Sequence, residues 1–159
     1  MPATGPTQYG AATDSLHQSV PFAATLGLQV LESDVDHALL RLPAADAVAN
    51  HVGGPHAGAI FTLGESAAAA VMLARYGARL DRFVPLAVAA QIRWSKLARS
   101  AVTALARADG ADSAVEHVEA ELAAGRRPEW ESLVEFRREE DGEVCAEMIV
   151  TLTLKALRR

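Results

Sequence analysis

The sequence predicts an α+β domain in which an antiparallel sheet wraps one long central helix. Three observations carry this. The stretch from His56 to about Tyr76 has Ile60, Leu63, Ala67, Ala70, Val71 and Ala74 at helical spacing with no proline between them. Several segments on either side alternate apolar and polar residues with the period of two that marks strands. The helical stretch is apolar almost all round, so it needs protein on most sides, and a sheet is the available cover.

The elements follow in order. Residues 1–13 are rich in Pro, Gly, Thr and Ala and read as a flexible tail ahead of a single domain over 14–159. Asp14–Leu26 reads as a short helix with Leu16, Val20 and Leu26 as its apolar residues. Asp14 or Ser15 can cap its start, Pro21 divides it into two turns, and Gly27 ends it. Leu28–Leu42 reads as two strands around a turn at Asp34 and Asp36, with Ala38, Leu40 and Leu42 on one face. Pro43–Pro55 is a loop containing the Gly53-Gly54 pair, and Gly77 is a natural stop for the long helix.

Beyond Pro85 the chain turns β-rich. Leu86–Trp94 and Ala101–Ala108 read as strands flanking a polar turn. Ser113–Ala124 reads as an inserted helix, with Ser113 and Glu116 at capping-box spacing and Gly125 as its stop. Trp130–Arg138 and Glu143–Leu154 read as a hairpin turning at Asp141-Gly142, and Val144 to Leu154 place every second residue on one apolar face.

Composition narrows the function classes. The 159 residues suit one domain, 22% are charged, and the formal net charge of −5 argues against a non-specific nucleic-acid binder, which needs a basic surface. Cys145 is the single cysteine, so no intrachain disulfide forms, and no Cys/His cluster has zinc spacing; no metal site is expected. Ala57–Ala74 is long enough to span a bilayer, but Glu65 lies near its middle and Ala contributes little to insertion, so a buried helix is expected instead. With no secretory signal in the first residues, the expected location is the cytoplasm, without a membrane partner.

The chemistry concentrates between Asn50 and Glu65. His56 sits where the long helix begins, and the free N–H groups of a helix start favour a polarised carbonyl or an oxyanion. Ala57 and Gly58 are small enough for a substrate to approach their N–H groups. Glu65 is a lone carboxylate in an Ala-rich helix with no basic residue three or four positions away, costly if buried without a role. Nine residues separate it from His56, so at roughly 100° and 1.5 Å per residue the two side chains face opposite ways, some 13 Å apart along the axis. If both serve one reaction, Glu65 must face the helix start of a second subunit. Read structurally instead, His56 is a helix-start residue and Asn50 closes its own loop.

The run His56-Ala57-Gly58-Ala59-Ile60-Phe61-Thr62-Leu63-Gly64-Glu65, with Asn50 six residues ahead, resembles the PaaI-like branch of the hotdog-fold thioesterases. That branch shows Asn, then His-Gly-Gly, then Leu-x-Asp or Leu-x-Glu at this spacing. The likeness extends over most of Leu28–Lys155, with Trp94, Lys96 and Ala98 where the family has an aromatic, a basic residue and a turn. It implies a hotdog fold, a homodimer joined at sheet edges with a dimer of dimers left open, and acyl-CoA thioester hydrolysis at the subunit interface. It further implies that the Ala57 N–H polarises the carbonyl, that Glu65 of the other chain acts as general base or nucleophile, and that Asn50 and His56 position the carbonyl and the loop. No cofactor is implied beyond the CoA thioester that serves as substrate.

Ala57 stands where the family's first glycine would be, and Glu65 reaches about one methylene further than the commoner Asp. The inserted helix is atypical of the smallest members and looks more like a thioesterase-like side branch whose substrates are undefined. Gly58, Thr62, Ser66 and Trp94 are candidate substrate contacts; Thr62 and Ser66 could equally bond back to their own helix. Arg93, Lys96 and Arg99 could meet the CoA phosphates, or form a solvated turn. The competing reading is a non-catalytic hotdog module that binds acyl-CoA or a fatty acid. A hotdog hydratase fits less well, because those enzymes resemble a pattern with an Asp and a His close together in one site loop.

Overall fold

The computed structural model describes residues 10–108 and 111–157, and for residues 111–114 the backbone alone. Six strands form one antiparallel sheet in the order β1-β2-β4-β5-β6-β3. They are β1 (Gln29–Ser33), β2 (His37–Leu42), β3 (Phe83–Trp94), β4 (Val102–Ala108), β5 (Glu129–Arg138) and β6 (Val144–Ala156). Helix α3 (Ala57–Tyr76) lies across one face, while α1 (Gly10–Ser19), α2 (Pro21–Leu26) and α4 (Ala111–Ala123) sit outside.

Alternation decides which face each strand turns to the helix. On β2, Ala38, Leu40 and Leu42 are fully buried, and on β4 Ala104 and Ala106 are. From β5 come Val134 and Phe136, and from β6 Ala146, Met148, Val150, Leu152 and Leu154. Against them α3 sets Ile60, Leu63, Ala67 and Val71. Each fully buried Leu or Val contributes roughly 1.5–3 kcal/mol. The contact is closest at Gly64, where a built Cβ would lie 2.3 Å from Phe136 Cζ and 2.7 Å from Met148 Sδ. Any side chain there lifts the helix off the sheet. Length and composition alone would let this helix cross a membrane; here the sheet covers one side of it.

Local signals explain the remaining elements. Asp34 Oδ1 accepts the N–H groups of Asp36 and His37, both at 2.8 Å, and so turns β1 into β2. Pro21 opens α2, Val20 separates it from α1, and Gly27 (φ 66°) ends it with its N–H bonded back into the helix. Gly125 (φ 69°) ends α4, as expected. Gly142 (φ 73°) closes the β5–β6 turn, which is longer than a two-residue hairpin because Arg138 N–H bonds Glu143 O across it.

Four expectations are revised. The first helix begins at Gly10, so Gly10–Thr13 belong to α1 rather than to a tail, and the rest of the expected tail lies outside the described residues. Thr13 Oγ1 accepts Val30 N–H at 2.9 Å and His17 Nε2 meets Leu28 O at 2.7 Å, which ties α1 to β1. Strand β3 starts at Phe83, three residues early, because its pairing with β6 runs from Phe83–Ala156 to Trp94–Ala146. Ser113 lies within α4 rather than ahead of it, and its side chain is outside the described residues. Gly77 ends α3 in an ordinary helical conformation (φ −55°), and the chain runs on as a single 3-10 turn, Gly77–Arg79.

Strand β3 is the longer of the sheet's two edges: twelve residues long, paired only with β6, and carrying exposed Leu86, Val88 and Trp94. Native proteins seldom leave such an edge open.

Gly64→Ala is expected to destabilise the fold by about 1–3 kcal/mol through overpacking. Gly77→Ala, where nothing lies within 4 Å of the added methyl, is expected to be neutral or to stabilise by up to about 1 kcal/mol. Urea unfolding of the two variants beside the parent measures both; equal midpoints would contradict the packing account.

Candidate active site

The start of α3 is assembled by the loop before it. A bridge between Ala49 and Pro55 closes that loop. Inside it, Asn50 Oδ1 accepts the N–H groups of Val52 (3.0 Å) and Gly54 (3.1 Å), and Asn50 Nδ2 donates to Pro55 O at 3.2 Å. The Asn50 amide thus closes the loop and sets the helix entry. Gly54 is required here, since a Cβ would sit 1.9 Å from Ala98 O, and this contact presses the β3–β4 turn onto the loop.

His56 is the N-cap of α3, and its Nδ1 accepts Gly58 N–H at 2.9 Å. This corrects one expectation: the Gly58 N–H is occupied and cannot donate to a substrate while the cap holds. The Ala57 N–H makes no hydrogen bond among the described residues. It remains the open donor at the positive end of the helix.

The expected site residues line four separate hollows. Asn50, Ala57, Trp94 and Lys96 line one cleft of about 340 Å³, with Ile60 and Leu97. His56, Gly58 and Thr62 line a second, of about 430 Å³, whose far wall is Phe22 and Leu26 of α2. Glu65 and Ser66 line a third, of about 440 Å³. Arg99 does not join Lys96: it lines a separate hollow with Asp46 and Gly53. The Lys96 ammonium is ion-paired with Glu143. Arg93 pairs in register with Glu147, on the face of the sheet away from α3. Thr62 Oγ1 bonds back to Gly58 O at 2.9 Å, the structural alternative.

Glu65 is the unusual group. Its cavity lies between α3 and α1, with Leu16, Val20, Val30 and Leu73 among its walls and no second ionisable side chain. The carboxylate has no hydrogen-bond or ion-pair partner among the described residues. Burial pushes its pKa above the ordinary 4.5, with desolvation as the one cause. No residue of the helix start lines this cavity, so within one chain the open Ala57 donor and the carboxylate serve different hollows. The residues of α1 that surround Glu65 carry no motif, which is why the sequence alone did not mark them. Among the described residues, no three His, Cys, Asp or Glu side chains gather closely enough to hold a metal ion.

A six-stranded antiparallel sheet wrapped on one long helix, with a carboxylate midway along that helix, defines a hotdog-fold protein of the thioesterase type. Residues 11–154 match the family described as a domain of unknown function, DUF4442, and the chain belongs to that family. No curated protein matches it. A structure from Pseudomonas aeruginosa, a protein of unknown function described as a probable thioesterase, is 26% identical with a TM-score of 0.78, covering 92% of this chain and 95% of its own. A thioesterase from Haemophilus influenzae shares the fold at 17% identity and a TM-score of 0.71, covering 92% of each chain. A Mycobacterium tuberculosis structure named as an esterase does so at 23% identity and 0.69, over 88% of this chain and all of its own.

Because the folded pKa of Glu65 is raised, ionisation opposes folding: stability is fully present below the unfolded pKa and falls as pH rises through the folded one. Glu65→Gln is therefore expected to raise the melting temperature at pH 7 and to lose that advantage near pH 4. A gain that does not change with pH would point to packing instead. His56→Ala is expected to cost about 1 kcal/mol as a lost N-cap, and His56→Asp to restore it, measured by urea unfolding.

Proposed function

We propose that the protein hydrolyses acyl-CoA thioesters as a homodimer, in composite sites that pair Glu65 of one subunit with the Ala57 N–H of the other. The observation that carries this is the solitary, desolvated Glu65 carboxylate in an apolar cavity. A carboxylate with a raised pKa and no cationic partner is a competent base near neutral pH. The open β3 edge supports the dimer: pairing two copies of it would continue the sheet and cover Leu86 and Val88. The likeness to structures named as thioesterases supports the reaction class.

In this reading Glu65 takes a proton from water as the water oxygen attacks the thioester carbonyl. The resulting oxyanion accepts the Ala57 N–H, strengthened by the helix dipole. Collapse of the tetrahedral intermediate breaks the C–S bond, and the proton on Glu65 passes to the departing thiolate. His56 and Asn50 act indirectly, by holding the backbone that presents the Ala57 N–H. Trp94, Lys96 and Leu97 flank that donor on the side where the CoA portion would leave the cleft. The Glu143 partner of Lys96 must yield if the ammonium is to meet a phosphate.

Glu65→Gln is expected to lower kcat/KM for an acyl-CoA by about 10²–10⁴-fold with the dimer intact. The parent profile should fall on the acid side with an apparent pKa above 4.5, since the base must be ionised. Ala57→Pro removes the donor at a helix position that tolerates proline. Inactive Glu65→Gln and inactive Ala57→Pro proteins, once their subunits exchange, should recover roughly a quarter of parental activity, because each mixed dimer holds one complete site. No recovery despite proven exchange would sink the composite site; full activity of Glu65→Gln would sink the base. Tight acyl-CoA binding without turnover in the parent would favour a binding module.

A further inference from the structure

The cavity beside Glu65 has a shape and chemistry that bear on which acyl group the site takes. One wall is the outward face of α3 beyond Glu65: Ala69, Ala70, Leu73 and Ala74. The opposite wall is α1, through Ala12 and Leu16. No aromatic ring lines it. The hydroxyls of Ser15 and Ser19, also on α1, belong to exposed residues, whereas the deeper Ser66 is 5% exposed. The result is a slot that begins at a carboxylate and continues between alkyl side chains.

Resting on the hydrolase reading above, we infer that the slot between α1 and α3 holds the acyl chain and selects straight aliphatic acyl groups of medium length over aryl ones. The rise of α3 sets that length. From Glu65 to Leu73 the helix advances about 12 Å at 1.5 Å per residue. With C–C bonds of about 1.5 Å, an extended zigzag chain covers that span in roughly nine or ten bonds. An aryl group would find no ring to stack on and would leave the far end empty. A palmitoyl chain would overrun Leu73 and Ala74, where the helix face is exposed.

Helix α1 thus takes the part of a selectivity wall. It is fixed on the sheet by the Thr13 and His17 contacts to β1, so its distance from α3 is set by the fold. Filling the slot from either wall should shorten the preferred chain. Leu73→Trp acts from α3 and Ser15→Trp from α1, where Ser15 is exposed and lines the slot.

The test is kcat/KM for the full chain on even-numbered acyl-CoAs from acetyl to palmitoyl, with phenylacetyl-CoA beside them. The parent should peak between octanoyl and dodecanoyl and turn over phenylacetyl-CoA at least about ten-fold less well. Each tryptophan variant should lower the ratio of decanoyl to butyryl activity by at least about ten-fold. A parental peak at acetyl, palmitoyl or phenylacetyl, or an unchanged ratio in both variants, overturns the slot assignment while leaving Glu65 in its role. If Glu65→Gln stays active, the base falls and the same ratios still judge the slot. If no thioester is turned over, the hydrolase reading falls, and thermal shifts with decanoate and phenylacetate decide: stabilisation by decanoate alone, lost in Leu73→Trp, upholds the slot, and any other pattern overturns it.

Discussion

Everything at the site depends on how closely α3 lies on the sheet, and that is set where Gly64 meets Phe136 and Met148. With hydrogen alone at position 64, the helix backbone rests against the β5 and β6 side chains. One residue further along, roughly 100° around the helix, Glu65 is turned away from the sheet. The small residues beneath, Ala104, Ala106 and Ala146, extend the same close approach. A chain with few aromatics builds its core this way: the helix comes near because the side chains between helix and sheet are short. The cost is that the outward face of α3 is also small and apolar and needs cover of its own.

Charge is distributed unevenly around this scaffold. Arg138 gathers Asp141 and Glu143 at the β5–β6 turn and donates to Leu97 O, while Lys96 joins the same cluster through Glu143. These pairs are largely exposed, and their worth lies more in joining two turns than in stability. The cavity around Glu65 contains none of them. Its basicity is thus governed by solvation alone, without a cation to pull it down.

Much of this architecture was legible in the sequence wherever one residue's neighbours along the chain determine its setting. The alternation of Ala38, Leu40 and Leu42, the helical spacing from Ile60 to Ala74, and the glycines at 27 and 125 each state a local geometry that the fold keeps. The solitude of Glu65 was equally readable, as the absence of a basic residue one turn away. What stayed hidden was set by partners far off in sequence. Helix α1 shows only a weak apolar stripe, and its place beside Glu65 comes from Thr13 and His17 reaching β1. The occupied Gly58 N–H follows from a ring orientation of His56 that no motif spells out. Strand β3 gained its first three residues from pairing with the far end of β6. Arg99 and Lys96, three positions apart, part company because the turn between them bends around Gly54.

The attachment of α1 has a consequence for how such proteins diversify. Its anchors are a threonine hydroxyl bonded to the main chain of β1 and a histidine ring bonded to the residue just ahead of that strand, and Val20 separates α1 from the next helix. Nothing in those anchors specifies the residues that face α3. Substitutions at the exposed Ser15 and Ser19 can therefore accumulate without disturbing strand register, the Gly64 contact or the capped start of α3. Related chains can thus take ligands of different bulk by changing the few α1 residues that face the slot while the anchors and the sheet stay as they are.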